Sequence, residues 1–184
     1  MADALSRRAE IPLILVRPDE EWDRGPDLAA NLRTILIPLD GSELSECAVE
    51  HAIELGQLFG SAYHLTRIVP ILGDIHSPYV PYTVQLNHAL VKDAMIAAAG
   101  YLEGQAGRMR WRGLKVTTSV ALGQPGHGIL SEADAVGCDL IVMATHGREG
   151  VGRVVLGSAA DKVLRGTHLP LMLYKPTKVP AGVT

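Results

Sequence analysis

The sequence predicts an α/β fold, in which a parallel, doubly wound sheet carries helices on both faces. The main support is the alternation of short apolar runs with helical patterns between residues 34 and 175. A glycine-rich segment after the fourth apolar run also fits, because such sheets bind ligands beyond the carboxyl ends of their strands. A third observation, the similarity between the two ends of the chain, predicts one additional strand.

Five apolar runs are interpreted as buried strands of the sheet, because each is short and is bounded by turn residues. They cover residues 34–39, 62–69, 115–122, 139–145 and 170–175. The connection at residues 70–82 is rich in proline and glycine and is predicted to be irregular.

Four helices are predicted between these strands, at residues 45–59, 84–105, 127–136 and 158–165. The first has an amphipathic stripe and carries acidic residues in its first turn, where they complement the helix dipole. Gly60 ends it. The apolar residues predicted to share one face of the first helix are Ala48, Ala52, Leu55 and Phe59, and those predicted to share one face of the second are Leu90, Ala94, Ala97, Ala98 and Tyr101.

Residues 1–18 repeat residues 159–176. Aligned without gaps, the two segments are identical at seven of 18 positions, and both a helical and a strand pattern fall in register. We interpret residues 1–18 as the last helix and strand of a preceding, similar domain. Residues 19–32 are then a polar linker, residues 33–176 the complete domain and residues 177–184 a tail.

Composition excludes several functional classes. The net charge is −3, so no electrostatic surface for nucleic acid is expected. No apolar run approaches the length of a membrane span, so no membrane association is expected. The two cysteines, Cys47 and Cys138, are interpreted as reduced, buried thiols of a cytoplasmic protein.

The segment from Ala144 to Ser158 holds four glycines and two arginines in 15 residues. Backbone amides in such a loop can converge on an anion, which makes a phosphate-binding loop one hypothesis and a surface loop of simple turns the other. The segment lacks the common phosphate-loop pattern, because Arg153 and Val154 stand where lysine and a hydroxyl residue are required. The nearest dinucleotide fingerprint, beginning at Gly126, has Ser131 in place of its third glycine.

Neither a metal site nor a nucleophilic catalytic site is predicted. The seven histidines are scattered, without the spacing of metal ligands, and no nucleophile elbow is present. His51 is interpreted as structural. His146 lies in the glycine-rich segment and is expected to contact either the neighbouring strand end or a ligand. Asp40 follows the first predicted strand, where a carboxylate is more often a turn or ribose-binding group than a general base.

Three segments together resemble the universal stress protein family. They are TILIPLDGSELSECAVEHAIELG, VMATHGREGVGRVVLGSAADKVLR and LPLMLYKP, and the similarity covers residues 33–176. The resemblance implies a five-stranded parallel Rossmann-like sheet of order 3-2-1-4-5. It also implies that this chain is the second half of a tandem two-domain protein. The extra N-terminal strand is then expected to pair antiparallel with the last strand, as an intrachain pseudo-dimer or a homodimer.

The same resemblance implies a site for ATP or AMP, with or without Mg²⁺. The family pattern of Gly, two residues, Gly, nine residues and Gly-Ser/Thr falls here with alanine in place of the first glycine. The residues expected to contact phosphates or to border them are Ala144, His146, Gly147, Arg148, Gly157, Ser158 and Ala159, and those expected at the nucleoside are Leu39, Asp40 and Ile68.

Three functions follow from the resemblance. The first is a nucleotide-binding module in stress response or signalling that does not catalyse a reaction efficiently. The second is a partner-binding domain of the same fold that holds no nucleotide. The third is a slow ATPase, which the absence of a phosphate-loop lysine and of a placed base argues against.

Overall fold

The structure, a computed structural model, describes residues 11–16, 32–70, 83–145 and 157–174. Side chains in the third range are described from residue 88 onward. The elements in chain order are β1 (Leu13–Leu15), β2 (Thr34–Pro38), α1 (Glu43–Phe59), β3 (Ala62–Val69), α2 (Thr83–Trp111), β4 (Val116–Leu122), α3 (Pro125–Val136), β5 (Leu140–Ala144), α4 (Ser158–Gly166) and β6 (Leu171–Tyr174).

The six strands form one sheet in the order β1-β6-β5-β2-β3-β4. β2 to β6 are parallel, and β1 runs antiparallel beside β6. This confirms the predicted five-strand order and the predicted additional strand. The chain moves from β2 outward to β4 on one side and then crosses to β5 on the other. The strand order therefore reverses between β2 and β5.

The sheet is buried on both faces by separate helix layers. Ala52 and Ile53 of α1 and Leu102 of α2 belong to the core cluster on one face. Ile129 of α3 and Val163 of α4 belong to the cluster on the other face. The central strands β2 and β5 contribute to both clusters, which explains why they read as continuous apolar runs rather than as alternating patterns.

β1 and β6 pair in a register that matches the internal repeat. Ile14 lies opposite Met172, Leu13 opposite Leu173 and Leu15 opposite Leu171. In the gapless alignment Ile14 corresponds to Met172, Leu13 to Leu171 and Leu15 to Leu173. If each residue is replaced by its repeat partner, the same three pairs result. The two strands are therefore related by a local two-fold axis that passes between Ile14 and Met172.

The length and the apolar face of α2 differ from the prediction. α2 continues six residues beyond the predicted end at residue 105 and ends at Trp111, before the positive φ of +80° at Gly113. On the predicted apolar stripe of α2, Leu90, Ala94 and Ala97 are exposed, and only Ala98 is buried. Leu32, the last residue of the predicted linker, is 3% exposed and packs in the core cluster with α1 and α2.

α3 and α4 approach each other closely at two glycines. A β-carbon on Gly126 of α3 would lie 2.6 Å from Cβ of Lys162 in α4. A β-carbon on Gly166 of α4 would lie 2.5 Å from Cδ1 of Leu130 in α3. The absence of a side chain at Gly126 therefore allows the two helices to pack at this distance, whereas at Gly166 the neighbouring atom is the end of a leucine side chain that can rotate away.

Candidate functional site

A cleft of about 440 Å³ lies at the carboxyl edge of the sheet, at the point where the strand order reverses. Ligands of open α/β sheets bind at this position, and the volume is within the range of small-molecule sites. The strand ends, the start of α1 and the starts of α3 and α4 form the walls. The lining residues are Pro38, Leu39, Asp40, Ser42, Leu44, Ser45, Arg67, Ile68, Pro70, Pro125, Ile129, Met143, Ala144, Gly157, Ser158, Ala159 and Ala160.

The turn from β2 into α1 is fixed by a local hydrogen-bond network around Asp40. Its Oδ1 accepts a bond of 2.9 Å from the Ser42 amide and one of 2.6 Å from the Ser42 hydroxyl. Ser42 caps α1, and its Oγ accepts a bond of 3.1 Å from the Ser45 amide. Gly41 has a φ of +86°, which favours glycine at this turn. The turn therefore presents the Asp40 carboxylate in a defined position at the cleft.

The N-terminus of α4 opens into the cleft without a side-chain cap. Its N-cap residue is Gly157, which has no side chain with which to cap the first turn. Ser158 and Ala159 follow and line the cleft. Backbone amides at a free helix start, together with the positive end of the helix dipole, are suited to an anion.

The backbone amide and carbonyl of Ile68 point into the cleft, on the side of β3 that faces β2. The Leu39 amide donates to the Thr66 carbonyl at 2.8 Å, and this is the last bond between β2 and β3 in the described part of the chain. The Gly123 amide donates to the Val69 carbonyl at 3.0 Å, on the β4 side. Backbone groups alternate sides along a strand, so those of Ile68 point toward β2, beyond its last pair. A donor and an acceptor are thereby placed side by side at the cleft.

Ala144 ends β5, and its methyl group packs with the α1-face core. Val142 belongs to that same cluster, whereas Met143 belongs to the α4-face cluster, so the side chains of β5 alternate as expected. No described residue other than glycine has a positive φ, so the alanine adopts an ordinary backbone conformation. The methyl group lies on the face opposite the one that carries α4.

Seven of the ten contacts predicted from the sequence line this one cleft: Leu39, Asp40, Ile68, Ala144, Gly157, Ser158 and Ala159. Their role as ligand contacts stays a prediction. His146, Gly147 and Arg148 lie outside the described residues.

Sequence reasoning missed Arg67 as a cleft residue. Alternation along β3 shows on which face of the sheet Arg67 lies, but it does not show that its guanidinium reaches the edge. Pro125 and Ile129 of α3 were also missed, because the sequence does not reveal how far α3 leans over the strand ends.

Within the described residues, no group of three or more His, Cys, Asp or Glu side chains could hold a metal ion. None of the helices in that part of the chain combines the length and the hydropathy needed to cross a membrane. Cys138 is buried as predicted, whereas Cys47 is only half-buried, which corrects the interpretation of both thiols as buried. The ring of His51 packs on Tyr174 with centroids 4.0 Å apart, consistent with a structural residue.

Comparisons with known proteins identify relatives of this chain. Residues 31–175 match the sequence profile of the universal stress protein family. A universal stress protein of Methanocaldococcus jannaschii is 30% identical over 148 residues, which are 79% of this chain and 84% of that protein.

Solved structures share the fold at lower sequence identity. A universal stress protein from Archaeoglobus fulgidus superposes with a TM-score of 0.65 at 17% identity, covering 95% of this chain and 53% of that one. This chain therefore spans about half of that protein. A universal stress protein solved in complex with cAMP superposes with a TM-score of 0.52 at 19% identity, covering 78% of this chain and 97% of that one.

Proposed function

The chain belongs to the universal stress protein family, and on that basis we propose that its cleft binds an adenine nucleotide, ATP or AMP, in a cytoplasmic stress-response or signalling role without efficient catalysis. The observation that carries the proposal is the uncapped start of α4, which opens into the cleft between β2 and β5. A phosphate seated there would accept hydrogen bonds from the first-turn amides.

The other end of the cleft suits a nucleoside. The Ile68 amide and carbonyl would match the N1 acceptor and the N6 donor of adenine, while Leu39 and Ile68 supply apolar contact. The Asp40 carboxylate, held at the turn, would accept hydrogen bonds from ribose hydroxyls. His146, Gly147 and Arg148 would complete the phosphate end, with or without Mg²⁺. The cAMP complex of a structural neighbour supports an adenine ligand for this fold.

A low catalytic capacity follows from the residue types in the sequence. The glycine-rich segment lacks the lysine and the hydroxyl residue that phosphate loops place on the terminal phosphates and on Mg²⁺. Ligand binding would then act by stabilising one conformation of the domain rather than by turnover.

Isothermal titration of ATP, AMP and cAMP, each with and without Mg²⁺, tests the proposal. We expect saturable heat for at least one adenine nucleotide, and its loss in Gly157→Leu, because a side chain there crowds the start of α4. Gly104→Leu is the matched control, since Gly104 lies on α2 with no atom within 4 Å of a built β-carbon. Absence of heat with all three ligands at about millimolar protein would count against nucleotide binding.

A partner-binding function is the alternative, and the exposure of Trp111 favours it. Its side chain is 90% exposed at the end of α2, beside a groove lined by Val49, Arg108 and Arg112. Tryptophan and arginine are enriched where proteins bind one another. Under this alternative, titration with nucleotides gives no heat and Trp111→Ala weakens capture of a partner.

We also propose that β1 belongs to a preceding domain of the same fold. The symmetric register of β1 and β6 supports this proposal. The Archaeoglobus fulgidus structure supports it too, because the match covers 95% of this chain but only 53% of that protein. The two domains would then form a pseudo-dimer within one chain, or two chains would exchange β1 in a homodimer.

A further inference from the structure

Arg67 borders the cleft on the side of the sheet opposite α4. Its neighbours in the alternation of β3, Tyr63 and Leu65, belong to the core cluster with α1 and α2, so the Arg67 side chain lies on that face. Its guanidinium nevertheless reaches the cleft. Among the described residues that line the cleft, Arg67 is the cationic side chain and Asp40 the anionic one.

Two contacts hold the guanidinium in place. Its Cζ lies 5.2 Å from the ring centroid of Tyr101, a cation–π distance. A β-carbon on Gly41 would lie 2.9 Å from Nη1, so the guanidinium packs beside the turn that carries Asp40. The Tyr101 hydroxyl donates a 2.8 Å bond to Glu46, which fixes the ring. The guanidinium is thus positioned before any ligand arrives.

Neither of these two contacts of Arg67, both within the described part of the chain, takes up an N–H donor of the guanidinium. An arginine carries five N–H donors and is positively charged at all relevant pH values. A half-buried guanidinium at a cleft wall is therefore suited to an anionic acceptor on the ligand.

Three groups give the cleft its charge distribution. The start of α4 provides positive potential, Asp40 provides a carboxylate, and Arg67 provides a cation that packs beside the turn carrying Asp40. We propose that Arg67 binds a second phosphate on the ribose, so that the cleft prefers adenosine 2′,5′- or 3′,5′-bisphosphate to AMP. This inference rests on the proposed function, because it assumes that the 5′-phosphate lies at α4 and the ribose at Asp40.

The geometry favours the ribose as the point of attachment. Gly41 joins Asp40 to Ser42, and Arg67 packs on Gly41, so a group bonded to a ribose oxygen at Asp40 is adjacent to the guanidinium. A phosphate there can take two parallel hydrogen bonds from the arginine fork, whereas the hydroxyl of AMP offers one neutral oxygen. The two hydrogen bonds that Asp40 accepts from Ser42 reduce its repulsion of the added phosphate.

Titration of AMP and of the two adenosine bisphosphates tests this inference. For the wild-type chain we expect one bisphosphate to bind about tenfold or more tightly than AMP, since hydrogen bonds to charged groups are the strong ones. Comparison of the 2′- and 3′-isomers identifies which ribose oxygen is recognised. Arg67→Gln should weaken binding of the bisphosphate far more than binding of AMP and so remove the preference, and Arg67→Lys should keep part of it.

Arg108→Gln is the control, because it removes an exposed α2 arginine outside the cleft and should leave the preference intact. Equal binding of AMP and both bisphosphates by the wild-type chain overturns the inference without any variant. A preference that survives in a folded Arg67→Gln chain also overturns it, and a melting curve establishes folding. If no adenine nucleotide binds at all, the proposed function fails and this inference fails with it.

Discussion

Ile14 lies directly opposite Met172 in the sheet, and the two residues are equivalent in the internal repeat, yet their exposures differ greatly. Met172 is 6% exposed and Ile14 is 42% exposed. Met172 belongs to the core covered by α1, whereas no described helix covers Ile14. A local two-fold axis therefore relates two strands whose surroundings are unequal.

Deletion of residues 1–18 should produce a dimer in which an exact two-fold axis relates two copies of β6. The truncated chain loses β1 and leaves the β6 edge unpaired, and an exposed edge strand recruits another strand. We expect it to dimerise by β6–β6 pairing with Met172 opposite Met172, measured by light scattering across a concentration series. The intact chain is the control. A truncated chain that stays monomeric and folded at high concentration would contradict this expectation.

Alanine substitution at two helical glycines should have opposite effects on stability. A β-carbon on Gly56 of α1 would overlap the buried Tyr63 hydroxyl, which donates a 3.1 Å bond to the Ile53 carbonyl. Gly56→Ala should therefore lower the free energy of unfolding by about 1–3 kcal/mol. Gly104→Ala in α2 meets no atom within 4 Å and should raise it by about 0.5–1 kcal/mol. Urea denaturation measures both, and a gain from Gly56→Ala would refute the packing argument.

The half-buried Glu132 should contribute more to stability than an exposed glutamate. Its Oε1 lies 3.0 Å from Nε2 of the buried His64, whose Nδ1 lies 2.7 Å from the Thr117 hydroxyl. Glu132→Ala should cost about 1–3 kcal/mol, because the imidazole loses a charged partner away from water. Glu103→Ala removes an exposed partner of Arg110 and should cost clearly less, because water screens that ion pair. Equal losses in denaturant titrations would show that burial does not matter here.

Stability should fall in alkaline solution partly through Cys138. Burial, helped by the nearby Asp139 carboxylate, raises the pKa of the Cys138 thiol from 9.0 to about 12. Between these values the unfolded chain releases a proton that the folded chain retains. The free energy of unfolding therefore decreases as pH rises, by up to about 1.4 kcal/mol per pH unit from this group. Cys138→Ala should show a shallower decrease between pH 9 and 12. Parallel curves for the two chains would exclude this contribution.

Short-range patterns predicted most of the strands and helices, and the carboxyl-edge rule for parallel sheets predicted the edge at which the cleft lies. The order of the strands and the residues expected at the cleft came from the resemblance to the universal stress protein family. The sequence was insufficient where distant elements meet. Asp139 accepts hydrogen bonds from the amides of Arg33 and Thr34 at 2.9 and 2.8 Å, a contact across 105 residues that no local pattern announces. The position of Arg67 at the cleft was missed for the same reason, since it depends on a contact with Tyr101 in α2.

The extension of α2 had a different cause. Gly100, Gly104 and Gly107 weaken the helical pattern near residue 105, and each is an unfavourable helix residue. Packing of Leu102, Ala106 and Met109 against the sheet overrides that local preference and carries the helix on to Trp111.

The tight packing at Gly126 bears on the cleft from outside it. A β-carbon there would lie 2.6 Å from Cβ of Lys162, so any side chain at this position would push α3 and α4 apart. Both helices begin at the cleft and contribute Pro125, Gly157 and Ser158 to its lining. The shape of the cleft therefore depends on a glycine that does not itself line it.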